Sequence, residues 1–221
     1  MWDVHRNRRL SLLLAEVIVR LTTPIDEEEF SRLRVRYGAF PLERVRLDVG
    51  RDFLREDRRP VKPGRRAEVL LVVVGPDGRI LVHTKAFYPP GTFRLLSGGV
   101  QVGEPVEEAL ARELREETGA SAVDHCFIGI LDYDIRCEDE HLTFASYVYR
   151  VNISTSVVRP GDEEEQISEF RWVSFSYLPH IRDALLQVPP AWQDWGRFRA
   201  LGHDFVLRYA QRCGIAKHPA L

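Results

Sequence analysis

The chain has 221 residues, 44% hydrophobic and 29% charged, with a formal net charge of −2. This composition fits a globular protein with one sizeable core plus an appendage, and it excludes a disordered or membrane-embedded chain. Residues 1–66 hold 16 Lys+Arg against 11 Asp+Glu, and the remainder 15 against 22; a surplus this modest reads as solvated helix faces rather than a nucleic-acid surface.

From the N-terminus, Leu10, Leu13, Leu14, Val17 and Leu21 recur at helical spacing. The segment Leu10–Leu21 is too short to span a bilayer and is interrupted by Glu16 and Arg20, so no membrane association is expected. Thr23 and Pro24 end that helix. Asp26–Arg36 predicts a second helix, with acids in its first turn and arginines in its last, as the helix dipole favours. Residues 1–60 thus read as a helical, strand-poor extension, and Arg58–Gly64, with Pro60 and Pro63, as a linker.

Residues 65–221 read as the main domain. The β-branched run Ala67–Val74, the turn Gly75–Gly78 and the alternating segment Arg79–Lys85 predict a hairpin. Phe87–Gly91 is a loop, and Val106–Thr118 a helix. Ala122–Ile130, Leu142–Val151 and Glu169–Val173 are expected strands, and Tyr177–Leu186 a helix. Trp192, Trp195, Phe198, Leu201 and Phe205 mark a closing helix whose aromatics pack into the core in preference to stacking on a base. Cys126, Cys137 and Cys213 are odd in number and form no C-x-x-C pair. Neither a disulfide framework nor a zinc site is expected, and a reducing cytoplasm is the default.

The chemistry is concentrated between Gly98 and Ala120. Pro105 suits the first position of the helix and Gly119 its left-handed stop. Val106, Ala109, Leu110 and Leu114 form one apolar stripe, while Glu113, Glu116 and Glu117, at i, i+3 and i+4, share a neighbouring face. Three crowded carboxylates suit either a solvated face balanced by Arg112 and Arg115, or a divalent cation with hard oxygen ligands. Gly98 and Gly99, before the helix, allow close backbone approach.

This stretch resembles the Nudix box, G-x5-E-x7-R-E-U-x-E-E-x-G-U, where U is a bulky aliphatic residue. Gly98, Glu104, Arg112, Glu113, Leu114, Glu116, Glu117 and Gly119 match in register. Seven fixed identities at average residue usage would coincide by chance at about one in 10⁸ starting positions. Ala120 departs from the pattern, being smaller than usual, and Ser97 stands where many relatives have proline. The resemblance implies an α/β fold, a Nudix-like α/β/α sandwich with a mixed sheet, here with a helical N-terminal extension. It also implies a metal-dependent hydrolase that cleaves a phosphoanhydride bond, using magnesium, or manganese in its place. By carry-over, Glu116 and Glu117 are metal ligands, Glu113 a further ligand or water-positioning group, and the Gly98 carbonyl an additional ligand; Glu104 and Arg112 pair to brace the loop.

The resemblance implies a general base in the box helix or in a later loop, and the acidic run Pro160–Glu165 offers Glu164 and Glu165, with a solvated surface loop as the equal alternative. Phe87, Tyr88 and Phe93 are the candidates for stacking on a base, with burial in the core at least an equal alternative. The expected substrate is a small nucleotide: nucleotide sugars such as ADP-ribose, nucleoside triphosphates and dinucleoside polyphosphates are all open, with a nucleoside diphosphate linked to another moiety favoured, and residues 1–60 contributing to a homodimer, by analogy. Two other classes remain open. One is a nucleotide-sensing regulator. The other is an isoprenoid diphosphate isomerase, which would need a reactive cysteine in the pocket, whereas Cys126, in an expected strand, reads as a small buried hydrophobe.

Overall fold

The computed structural model describes residues 25–54, 62 and 64–213. The helix expected at Leu10–Leu21 and most of the expected linker lie outside them. The strands are β1 (Leu42–Asp48), β2 (Arg65–Val74), β3 (Ile80–Lys85), β4 (Arg94–Gln101), β5 (Ala122–Cys137), β6 (Glu140–Ile153) and β7 (Ile167–Val173). The helices are α1 (Glu27–Tyr37), α2 (Val106–Thr118), α3 (Leu178–Leu186) and α4 (Gln193–Arg212). Among the described residues the strands form one sheet of order β1-β5-β6-β2-β4-β3-β7. The β1–β5 and β2–β6 pairs are parallel and the others antiparallel, so the sheet is mixed.

Strand β2 shows why both faces of the sheet are covered. Its alternate residues Val69, Leu71 and Val73 join one buried cluster, with Val106, Leu110 and Leu114 of α2 and Leu33 of α1. Leu70, Val72 and Val74 join the other, with Leu178 and Leu185 of α3 and Phe198 and Phe205 of α4. A strand buried on both faces reads as a continuous apolar run, and each such side chain stabilises the fold by about 1.5–3 kcal/mol. The result is the expected α/β/α sandwich. No helix among the described residues is long and apolar enough to cross a membrane.

Helix α1 begins where Asp26 accepts from Glu29 N at 2.8 Å. Its Glu29 is buried and takes two hydrogen bonds from Arg66, whose Nη2 also reaches the carbonyl of Glu104 at 2.8 Å. The N-terminal helix is thereby tied to the loop that opens the box helix.

Three expectations need correction. Residues 1–60 are not strand-poor, because β1 lies within them and pairs with β5. Its Val45 and Leu47 pack toward the α4 cluster while Glu43, Arg44 and Arg46 occupy intervening or exposed positions, so charge masks the alternation. The glycines before the box helix, for which no strand was expected, lie in β4, since both its neighbours supply ladder partners that override the low β-propensity of glycine. Pro105 is the N-cap rather than the first helical residue, with an extended ψ of 143°. In addition, β5 and β6 run on to Cys137 and Glu140, beyond the apolar core of each, because Tyr133, Ile135 and Cys137 face inward while Asp134 and Arg136 pair outside.

Candidate active site

Helix α2 is pinned to the sheet by its apolar stripe, and that fixes its three glutamates unequally. Glu113 is 5% exposed and Glu117 fully buried, whereas the Glu116 side chain keeps 34% of its surface. Gly98 makes room for Glu113. A Cβ built on Gly98 would lie 1.8 Å from the Glu113 carboxyl carbon, so no larger residue fits without displacing that side chain. Gly99, facing the opposite side of the strand, makes room for Arg65, whose Nε would lie 2.9 Å from a Gly99 Cβ. The consecutive glycines therefore admit an acid to one face of β4 and a guanidinium to the other.

Arg112 organises the box. It donates to Glu104 through Nε at 2.8 Å and through Nη2 at 2.9 Å, to the Gly99 carbonyl at 2.7 Å, to Glu113 at 2.8 Å and to Glu116 at 2.9 Å. Glu104 also accepts from Gln101 N at 2.9 Å, closing the loop on itself. The hydrogen bond from Arg112 holds the Glu104 carboxyl below its usual range. Burial raises the Glu113 pKa against the opposing pull of Arg112. Glu117 is the most perturbed of the three. Burial pushes it up to about 8, only partly offset by Arg94 and Lys85, and among the described residues neither of its carboxylate oxygens has a hydrogen-bond partner.

The acidic loop is docked on the end of α2. Gly161 N and Asp162 N both donate to the Glu116 carbonyl, at 2.8 and 3.1 Å, and Arg159 N to that of Thr118 at 3.2 Å. A Cβ on Gly161 would sit 2.3 Å from the Arg115 carbonyl oxygen, so the contact requires glycine. Asp162 then caps the short turn Glu163–Glu165 by accepting from Glu164 N at 2.9 Å. This delivers Glu165, and not Glu164, to the site. Glu165 Oε2 lies 2.6 Å from Lys85 Nζ and borders the cleft, while Glu164 is exposed outside it.

The cleft measures about 180 Å³. Gly98, Glu113 and Glu165 line it together with Arg65, Arg94 and Arg199. Glu116 and Glu117 are not among its lining residues; Glu117 lies wholly beneath the surface. Of the three aromatic candidates, Phe87 is 43% exposed at the rim. Tyr88 also borders the cleft, but its ring packs on Trp195 at 4.7 Å and its hydroxyl accepts from Arg94. Phe93 is a correction. It is 3% exposed in the core, outside the cleft, with the Arg171 guanidinium 4.0 Å from its ring centre, so it offers no free face to a base.

Cys126 also differs from expectation. It is exposed on β5 and does not border the cleft, so the isomerase reading lacks its cysteine. Sequence reasoning missed Lys85, Arg65, Arg94, Arg199 and Glu68. The one available signal was Glu68, an acid inside the apolar run Ala67–Val74, which the structure buries completely. Burial alone would raise the pKa of Glu68, but Arg199 and Arg65 outweigh it and hold the carboxyl below its usual range.

The family model described as NUDIX domain matches residues 64–190. Over 146 residues the chain is 27% identical to the NAD-capped RNA hydrolase NUDT12 of Macaca fascicularis, covering 64% of this chain and 28% of that one. It is 26% identical over 153 residues to the NAD-capped RNA hydrolase NudC of Pseudomonas aeruginosa, covering 69% and 48%. It is 29% identical over 123 residues to the ADP-ribose pyrophosphatase of Methanocaldococcus jannaschii, covering 55% and 72%. The chain thus spans less than half the length of the first two relatives. Among solved structures, the MutT NUDIX hydrolase from Burkholderia pseudomallei aligns with a TM-score of 0.42 at 26% identity, covering 51% of this chain and 84% of that one. With the family model matching more than half its length, the chain belongs to the NUDIX domain family.

Proposed function

We propose that the protein is a magnesium-dependent hydrolase that cleaves the phosphoanhydride bond of a nucleoside diphosphate linked to another moiety. The observation that carries this reading is Glu117, a fully buried carboxylate with both oxygens unpartnered. Burying an uncompensated carboxylate is costly, and such a group persists where a cation completes its coordination. Among the described residues no three acidic, His or Cys side chains are grouped tightly enough to hold an ion alone. That suits magnesium, which takes one or two carboxylates and fills the rest of its shell with waters and substrate phosphates. Glu117, Glu113 and the Gly98 carbonyl would hold it, with Glu116 joining on release from Arg112. When bound, the cation supplies charge neutralisation of the phosphoryl oxygens and a more acidic water.

The chain's own residues do the rest. Arg112 spans both ends of the box and keeps the glutamates in register. Glu165 serves as the general base, accepting the proton of the attacking water, with Lys85 holding its second oxygen in place. Phe87 at the rim offers an exposed ring to a base. The relatives named as NAD-capped RNA hydrolases and as an ADP-ribose pyrophosphatase support a substrate in which a diphosphate bridges a nucleoside to something else. The sensor reading is disfavoured because a binding-only domain has no need of the full acidic set.

The test is product release from ADP-ribose, NAD, an NAD-capped RNA and nucleoside triphosphates, with magnesium and with chelator. Turnover that needs magnesium and vanishes in Glu117→Gln is expected. A folded wild-type protein that turns over none of them would reject the proposal.

A further inference from the structure

The cleft also gathers basic side chains that lie outside the box. Three guanidiniums converge there around one carboxylate. Arg199 Nη1 lies 2.9 Å from Glu68 Oε2, and Arg65 Nη2 lies 3.3 Å from the same oxygen. Among the described residues Arg94 bonds to no carboxylate; it donates to Tyr88, to the Leu95 carbonyl and to Ser97 Oγ. Ser97 Oγ also accepts from Arg199 at 3.1 Å and lies 3.3 Å from Glu68. The remaining Glu68 oxygen is taken by Ser146, 2.7 Å away. Among the described residues, then, Glu68 is the sole carboxylate bonded to the three arginines. All are largely withdrawn from water, with Arg94 3% exposed and the Arg65 and Arg199 side chains 18% and 12% exposed. The buried Nε of Arg199 has no hydrogen-bond partner.

Buried charges persist when they are paired, and guanidiniums match phosphate oxygens two donors at a time. Arg65, Arg94 and Arg199 all line the same cleft as Gly98 and Glu113. The serine at the centre is the residue that stands in place of the proline common before the box glycines, and a proline has no hydroxyl to join Arg94 to Arg199.

We infer that Arg65, Arg94 and Arg199, gathered on Ser97 and Glu68, form a subsite for an additional phosphoryl group of the substrate, beyond the one carried by the box glutamates. This rests on the hydrolase reading for its place in a reaction, and it names the substrate class: nucleotides whose phosphate chain ends in, or carries, a further phosphate, in preference to those ending in a neutral sugar. Helix α4, outside the box, is on this reading the specificity element, since it supplies Arg199.

Two measurements on the full chain test it. The first is calorimetric titration of inorganic pyrophosphate in the presence of chelator, in the Glu117→Gln background, where bound magnesium cannot report. Binding is expected, weakened at least about tenfold by Arg199→Gln and partly retained in Arg199→Lys. Ser97→Ala should also weaken it, and serves if Arg199→Gln fails to fold. The second is the ratio of kcat/KM for ATP to that for ADP-ribose in the wild type and in Arg199→Gln; the ratio should fall at least about tenfold. Absence of pyrophosphate binding, or binding untouched by both substitutions, overturns the subsite even if the enzyme is active. If the protein binds pyrophosphate through these residues yet hydrolyses nothing, the subsite stands and the hydrolase reading fails.

Discussion

Lys85 Nζ meets Glu165 Oε2 at 2.6 Å, across 80 residues of sequence, joining the end of β3 to the turn before β7. The pair fixes one acid of a four-residue acidic run at the cleft and leaves its neighbour outside. Glu165→Gln is therefore expected to lower kcat by about 10²–10⁴, the usual range for loss of a general base, with little change in KM. Glu164→Gln should stay within about twofold. Steady-state kinetics on the best substrate decide the point, and equal effects of the two substitutions would remove Glu165 from its role.

Gly98→Ala tests the close approach of Glu113. Its Cβ would overlap the carboxyl carbon of Glu113, so either the strand or the acid must shift. A destabilisation of about 1–3 kcal/mol, typical of overpacking, is expected together with loss of turnover. Urea unfolding and kinetics measure both, and a fully active, equally stable variant would contradict the packing described.

Arg112→Lys should not be tolerated, although charge is kept. Lysine has one nitrogen where Arg112 serves three carboxylates and a carbonyl in a fixed fork. The expected result is a magnesium requirement raised about 10- to 100-fold, as for other residues that orient ligands. A magnesium titration of activity reads this directly, and an unshifted midpoint would count against it.

Metal removal is expected to have a thermal signature. Magnesium should raise the melting temperature of the wild type, because a ligand that binds only the folded state stabilises it. Glu117→Gln should abolish that shift and, in chelator, melt above the wild type, since it removes a buried carboxylate with no partner. A variant that melts lower in chelator and still responds to magnesium would place the cation elsewhere.

His203, fully buried on α4, has its pKa pushed down from 6.5 to about 4 by burial. Leu95 N donates to its Nε2 at 3.2 Å, and its Nδ1 lies 3.0 Å from the Arg199 carbonyl, an arrangement suited to the neutral ring. The folded pKa lies below the unfolded one, so on acidification the unfolded chain takes up the proton first. This contribution is complete above about pH 6.5 and is lost as pH falls toward 4, on the order of 3 kcal/mol in all. His203→Gln keeps an acceptor for Leu95 N and should lose less stability between pH 7 and 4.5 than the wild type. Buried His83 titrates in the same sense but is common to both proteins. Denaturant unfolding at the two pH values gives the difference, and parallel losses would show that His203 does not titrate as described.

The box helix was legible to the residue because its signals are local, an apolar stripe with Pro105 before it and Gly119 after it. β1 was not, since charges at alternate positions dilute its pattern and its partner β5 lies some 88 residues on. β4 was hidden by its own glycines, whose weak preference is overruled by ladders on both sides. The box glutamates could be read from one helix. The arginine cluster could not, because it brings residue 199 against residue 68, and nothing periodic links positions so far apart.

The seating of Gly161 on the Arg115 carbonyl bears on how such proteins can be re-engineered. The acidic turn is not a free surface loop to be exchanged at will; it is bolted to the last turn of α2 by three backbone bonds. A graft that alters the spacing between Gly161 and Glu165 would carry the acid away from Lys85 even if every glutamate were preserved. Chimeras between relatives should therefore be cut outside residues 159–165, so that helix end and turn travel as one cassette.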